Sequence, residues 1–132
     1  MAEGIELSPE EAREPYCYVI TTGRVTGEAH EVEMWFAVHP DGADLATLYC
    51  LSGGRDRSDW VKNVRVNPDL RIRIRGTTYA ALGAVVEGEE HDPRAREALS
   101  AKYYGWRGGA LPNDWARDSL PVAFRLTEVV SV

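Results

Sequence analysis

The feature that most constrains this chain is a two-residue alternation in two of its runs. From Ala29 to Val38, the side chains of Val32, Met34, Phe36 and Val38 fall to one side and those of Glu31, Glu33, Trp35 and Ala37 to the other. Further on, Leu70, Ile72 and Ile74 alternate with Arg71, Arg73 and Arg75. Successive side chains of a strand point to opposite faces, so each run reads as a strand with one apolar and one polar face. In the first run the apolar set is the candidate for a core. Glu31, Glu33 and Trp35 then face away from it.

Glycines and prolines divide the rest into similar lengths. Tyr16 to Thr22 is rich in β-branched and aromatic residues and ends at Gly23-Arg24-Val25-Thr26-Gly27, which predicts a hairpin into the Ala29 run. Pro40-Asp41-Gly42 is a turn, Leu45 to Leu51 a third strand, and Ser52-Gly53-Gly54 its stop. Asp56 is placed to cap a helix through Val64 that buries Trp60, Val61 and Val64, with Asn67-Pro68 ending it. Strands at 70–75, Thr78 to Val86 and Val122 to Val130 complete the set. Asp92-Pro93 opens a helix to about Tyr103, Tyr104 to Gly109 is a loop, and Asn113 to Arg117 adds a helical turn. Ser8-Pro9-Glu10-Glu11 looks like a helix start, so residues 1–14 form an acidic arm or short helix ahead of one domain, 15–132. Six strands, short turns and no βαβ rhythm predict a mainly β (α+β) fold. The architecture expected is a six-stranded antiparallel barrel with flanking helices.

Composition narrows the function classes. The 132 residues suit a single domain, and the net charge of −6 argues against a nucleic-acid partner. There is neither a membrane-length apolar run nor a leader pattern, and Cys17 and Cys50 lie in apolar runs as buried free thiols do. A cytoplasmic location is expected. Residues 55–75 carry seven basic side chains against three acidic ones, a basic island in an acidic chain that suits one anionic ligand, although most such side chains are simply solvated.

Motif chemistry is sparse. His30, His39 and His91 lack metal-ligand spacing and read as surface histidines, and no metal site is expected. Nucleophile elbow, P-loop, dinucleotide fingerprint and CxxC are all absent, so chemistry, if any, falls to a cofactor. Two segments could bind an anion. In Ser52-Gly53-Gly54-Arg55, glycines admit close backbone approach and a helix start follows. In Thr22-Gly23-Arg24-Val25-Thr26-Gly27, hydroxyls and an arginine meet at a hairpin tip. Trp35 and Trp60 are either walls for a planar ring or core aromatics.

These segments carry a resemblance. Ile20 to Gly27 with the strand after it, Ser52-Gly53-Gly54, Asp59-Trp60-Val61-Lys62-Asn63, Asn67-Pro68, Arg75 to Val86 and Leu120-Pro121-Val122 resemble, in order and spacing, the deazaflavin (F420)-dependent nitroreductase family over residues 16–130. The resemblance implies a split β-barrel of the FMN-binding, pyridoxamine-phosphate-oxidase-like kind. It also implies coenzyme F420 as cofactor and hydride transfer to a small electron acceptor: a quinone, a nitro compound or an activated double bond. By resemblance Arg24 contacts the cofactor's anionic tail, with Val25, Thr26 and His30 beside it. Val25 and Gly53 stand where the family commonly has lysines, leaving Arg55 or Arg57 to compensate. Glu33, Met34, Trp35 and Trp60 align with residues around the deazaflavin ring, Ser52, Gly53, Gly54 and Arg55 with the cofactor loop. Tyr103, Tyr104 and Trp106 fall where aromatics cover the substrate. Tyr103 or Tyr104 is the candidate proton donor. A homodimer is implied as well. The alternatives are an FMN-binding split-barrel oxidoreductase and a non-catalytic cofactor- or lipid-binding protein.

Overall fold

Residues 5–132 are described by the computed structural model, in which the alternating runs become six antiparallel strands. They are β1 (Cys17–Thr22), β2 (Ala29–Met34), β3 (Thr47–Ser52), β4 (Asp69–Ile74), β5 (Thr77–Val85) and β6 (Leu120–Ser131). The helices are α1 (Pro9–Ala12), α2 (Asp59–Val66), α3 (His91–Tyr104) and α4 (Asp114–Asp118). The first four residues of the expected acidic arm lie outside the described part.

The strands join in the order β2-β1-β4-β5-β6-β3, and the sheet curls until its two edges nearly meet. β2 is shorter than the Ala29–Val38 alternation predicts, for a geometric reason. Its last residue, Met34, pairs with Cys17, the first residue of β1, where that ladder ends. The chain therefore changes partner. Ala37 exchanges two hydrogen bonds with Tyr49 of β3, at 3.1 and 2.8 Å, and this bridge ties the two edges together. Near-closure leaves little edge for another chain to pair with.

Inside the curl lie Val19, Phe36, Leu48, Cys50, Ile72 and Phe124, all inaccessible, with Val32 and Met34 packed against them. The face expected of Phe36 is the one observed. Burying a side chain of this kind is worth roughly 1.5–3 kcal/mol. β3 is buried on both faces because α3 covers its outside, where Ala95, Ala98 and Leu99 meet Tyr49, Leu51 and Ala123. Small residues let that helix lie close. α1 is short but tied down: Ser8 and Glu11 form reciprocal capping bonds of 3.1 and 2.9 Å, and Glu11 also accepts from the Tyr79 hydroxyl of β5. The tie makes 9–12 a docked helix.

The expected helix from Asp56 is divided. A 3-10 turn at Arg55–Arg57 precedes α2, whose N-cap is Ser58, because the Asp56 carboxylate is held 2.6 Å from Arg65. Trp60, Val61 and Val64 are buried as the spacing predicts, and so is Asn63.

Candidate active site

Where β2 ends, Trp35 meets the last turn of α3 and Trp115 of α4. Trp35 points outward and stacks on Tyr103, with ring centres 4.2 Å apart and planes 5° from parallel. Trp115 of α4 stands edge-on to Trp35 at 5.6 Å, and Tyr104 is edge-on at 6.1 Å. Offset and edge-on arrangements of this kind are the favourable ones for aromatic quadrupoles. Between these rings opens a cleft of about 360 Å³ lined by Glu33, Met34, Trp35, Leu51, Tyr104 and Trp115. Asn113 caps α4 by accepting from Ala116 N–H at 2.9 Å, which fixes where Trp115 stands.

The two tyrosines expected over the substrate differ. Tyr104 lines the cleft and is exposed. The Tyr103 hydroxyl donates to the Pro15 and Phe36 carbonyls at 2.8 and 3.0 Å and sits 3.2 Å from the Phe36 N–H, which donates to it. Burial pushes this phenol well above its ordinary pKa, so the proton stays where it is. Tyr103 thus positions Trp35, which corrects the expectation that either tyrosine could serve as proton donor. Trp60 is likewise corrected: it is 5% exposed and packs on Phe124 inside the barrel, away from the ring cluster of Trp35.

The loop after β3 runs beside the cleft. A Cβ on Gly53 would lie 3.5 Å from the Trp115 indole, so the glycine leaves a ledge open against that ring. At Gly54 a Cβ would come within 2.7 Å of Ser58 Oγ, and the Ser52 and Ser58 hydroxyls bond at 3.0 Å. A side chain there would have to turn the Ser58 hydroxyl away from Ser52. Arg55 takes a left-handed backbone (φ 54°) and directs its guanidinium to both Glu87 oxygens, at 2.6 and 2.5 Å, and to the Asp118 carbonyl. That commitment makes Arg55 a bracket between the end of α4 and the segment after β5.

At the β1–β2 turn, Asn63 of α2 organises the other candidate anion site. Its Oδ1 accepts from both the backbone N–H and the guanidinium of Arg24, at 3.1 and 2.9 Å, and its amide donates to Thr21 at 3.0 Å. Arg24 also reaches Asp59 at 3.2 Å and keeps part of its guanidinium in solvent. Thr26 accepts from Glu28 N–H, Val25 is exposed, and His30 lies on β2 opposite Thr21.

The basic island resolves into pairs: Arg55 with Glu87, Arg65 with Asp56, Arg73 with Glu31 and Arg75 with Glu14. Arg57, Lys62 and Arg71 have no ion-pair partner among the described residues. Two of the histidines expected at the surface are half-buried. His39, its side chain 14% exposed, sits between Asp41 and Glu97, and His91 bonds the buried Tyr49 hydroxyl. Sequence reasoning missed Asn63, Glu87 and Trp115. The Asn113-Asp114-Trp115 cap signal offered the one available hint of the last.

Aromatic walls and a glycine ledge suit a flat heteroaromatic ring, and Arg24, on the β1–β2 turn at the opposite end of β2 from the cleft, is a cation suited to a long anionic tail.

A curled six-stranded antiparallel sheet with this strand order is a split β-barrel. Solved structures share that fold. A Bacteroides thetaiotaomicron protein described as a candidate 5-nitroimidazole antibiotic resistance protein matches with TM-score 0.67 at 15% identity, over 96% of this chain and 85% of that one. A candidate pyridoxamine 5'-phosphate oxidase of Listeria innocua gives 0.62 at 16% identity, over 91% and 90%. A protein described as an F420 reductase gives 0.60 at 19%, over 95% and 97%. A search of curated proteins found no match. The family model of the F420H(2)-dependent quinone reductases matches residues 4–113, and the chain belongs to that family. It is an F420-dependent oxidoreductase. The match stops just short of α4, so Trp115 stands outside it.

Proposed function

We propose that the protein reduces a small, flat, electron-poor acceptor, a quinone in the first instance and nitro compounds or activated double bonds by the same chemistry. The observation that carries this reading is the aromatic cleft beside the Gly53 ledge. When bound, F420 supplies the hydride. Arg24, oriented by Asn63, holds the anionic tail with Thr26 and His30 nearby. Met34 and Trp35 hold the ring, Trp35 being braced from behind by Tyr103. Leu51 and Trp115 keep water from the acceptor. A quinone receiving a hydride also needs a proton at oxygen, and Tyr104 Oη at the rim is the group that can hold one there.

Two free, buried cysteines suit a reducing compartment and support a cytoplasmic setting. Among the described residues no helix is long and apolar enough to cross a membrane. A homodimer belongs to the same reading.

Titration with F420 and with FMN, followed by fluorescence, tests it. F420 is expected to bind tightly and FMN weakly. Arg24→Ala should weaken F420 binding by about 1.5–3 kcal/mol, the scale of a hydrogen bond to a charged group. An unchanged dissociation constant would remove Arg24 from the site, and preference for FMN would overturn the reading.

A further inference from the structure

α4 carries one wall of the cleft, Trp115, and is by itself a poor support for it. Five residues make little more than one turn, a helix that short does not hold alone in water, and only Ala116 of the five is buried. The carbonyls of its last turn also have no partner inside the helix. The fold supplies partners from outside. Arg96 of α3 aims one guanidinium nitrogen, Nη1, at the carbonyls of Ala116, Arg117 and Ser119, at 3.0, 2.8 and 2.9 Å. Arg55 donates to the carbonyl between them, that of Asp118, at 2.6 Å. Successive carbonyls at the negative end of α4 are thus held by two cations, the favourable sign for the helix dipole.

Arg96 is itself fixed. Its Nε donates to Asp92, one turn back on α3, at 2.6 Å, with the two side chains 11% and 17% exposed, and Asp92 also accepts the Gly88 N–H at 2.7 Å. Glu87 lies between the two guanidiniums, bonding Arg55 with both oxygens and standing 4.0 Å from Arg96. Two positive charges meet two negative ones, and the set ties α4 to α3 and to the segment after β5. The same face of α3 serves the opposite wall. Tyr103, two turns beyond Arg96, stacks on Trp35. One helix face therefore sets both sides of the gap, Trp35 directly and Trp115 through the backbone of α4. We infer that Arg96 is a positioning residue for the reductase reaction, acting through α4 to hold Trp115 against the acceptor, with Glu87 and Arg55 completing the clamp. The inference rests on the aromatic cleft being the acceptor site, as proposed above, and is independent of the contacts made by the cofactor's tail.

Arg96→Met keeps the stem of the side chain and removes the clamp. With reduced F420 and menadione as substrates, KM for the quinone should rise roughly fivefold while kcat and F420 affinity stay near the wild type, because the loosened wall is ordered again only when the acceptor binds. Trp115→Ala should raise the same KM. Adding Arg96→Met to it should then change nothing further, since the ring to be positioned is gone, whereas an arginine with a general structural role would add a loss of its own. A second readout needs no acceptor. The Trp35 and Trp115 rings, 5.6 Å apart, should give a circular-dichroism couplet that Arg96→Met abolishes as completely as Trp115→Ala does. If Arg96→Met melts below the assay temperature, Glu87→Gln, at an exposed position, takes its place and should raise KM roughly twofold, again only while Trp115 is present. Whichever variant is read, a couplet and a KM at wild-type values, or a rise in KM that persists without Trp115, would overturn the positioning role. A menadione KM unchanged in Trp115→Ala itself would instead overturn the reading of the cleft on which the inference rests.

Discussion

Trp35 and Phe36 are consecutive in the chain and belong to different regions of the molecule. Phe36 is inaccessible inside the curl of the sheet. Trp35, 37% exposed, stands at its mouth with Tyr104 and Trp115. The end of α3 repeats the division one element away. Lys102 reaches inward, its Nζ 3.8 Å from the centre of the Phe36 ring, while Tyr103 stacks on Trp35. Two neighbours just past the end of β2 meet two neighbours on a helix, and each pair is split between a dry interior and a half-open cleft. The difference teaches that the site is assembled on the reverse side of the core, so its rings are held by residues whose adjacent neighbours anchor the barrel.

The largest effect expected of breaking this division is on the interior side. Phe36→Ala removes a ring from a packed core and should cost about 3–5 kcal/mol, read as a shift in the urea midpoint. Trp35→Ala should cost much less stability but reduce F420 affinity or turnover at least tenfold, about 1.4 kcal/mol. Reversal of the two, with Trp35→Ala unfolding the protein and Phe36→Ala leaving it intact, would exchange the faces of β2 and require the cleft to be rebuilt from the other set.

How far this division was legible in the sequence depends on the range of the forces involved. The alternation at 29–38 gave the faces of Trp35 and Phe36 correctly, because the period of a strand is local. The six strands and the turns at Gly23–Gly27 and Ser52–Gly54 were legible for the same reason. The early end of β2 was not, since it depends on where β1 runs out of pairing partners. Arg24 and Arg55 looked alike as glycine-flanked arginines, but Glu87 and the Asp118 carbonyl, far along the chain, claim the second. Asn63 reads as one more polar residue of a helix until the fold buries it against Thr21 and Arg24. Trp60 fits a helical apolar stripe equally well as a wall or as core, and only packing against Phe124 decides. Long-range partners, not local propensity, separated the candidate site from its scaffold.

The smallest expected effect sharpens the contrast between the two sides of α3's last turn, and it depends on pH. The Lys102 ammonium donates to the carbonyls of Glu14 and Phe36 at 2.6 and 2.9 Å, yet burial lowers its pKa from 10.5 to about 8. Cys17, Cys50 and Glu14 face it and act in the opposite sense, but burial wins. A lysine whose pKa is lower folded than unfolded binds more protons in the unfolded chain, so it opposes folding in full below about pH 8 and progressively less towards 10.5. Burial raises the Cys50 thiol and the Tyr103 and Tyr79 phenols, and these contribute with the reverse sign as alkali ionises the unfolded chain. The two phenols are common to the wild type and to Lys102→Met, and the Cys50 thiol, which Lys102 pulls down, stays protonated near pH 8, so the difference at its onset reads the lysine. Urea midpoints measured from pH 7 to 10 should therefore rise for the wild type relative to Lys102→Met, with the change beginning near pH 8. Parallel profiles would mean that the ammonium is solvated, and that the interior at Phe36 is as open to water as the cleft at Trp35.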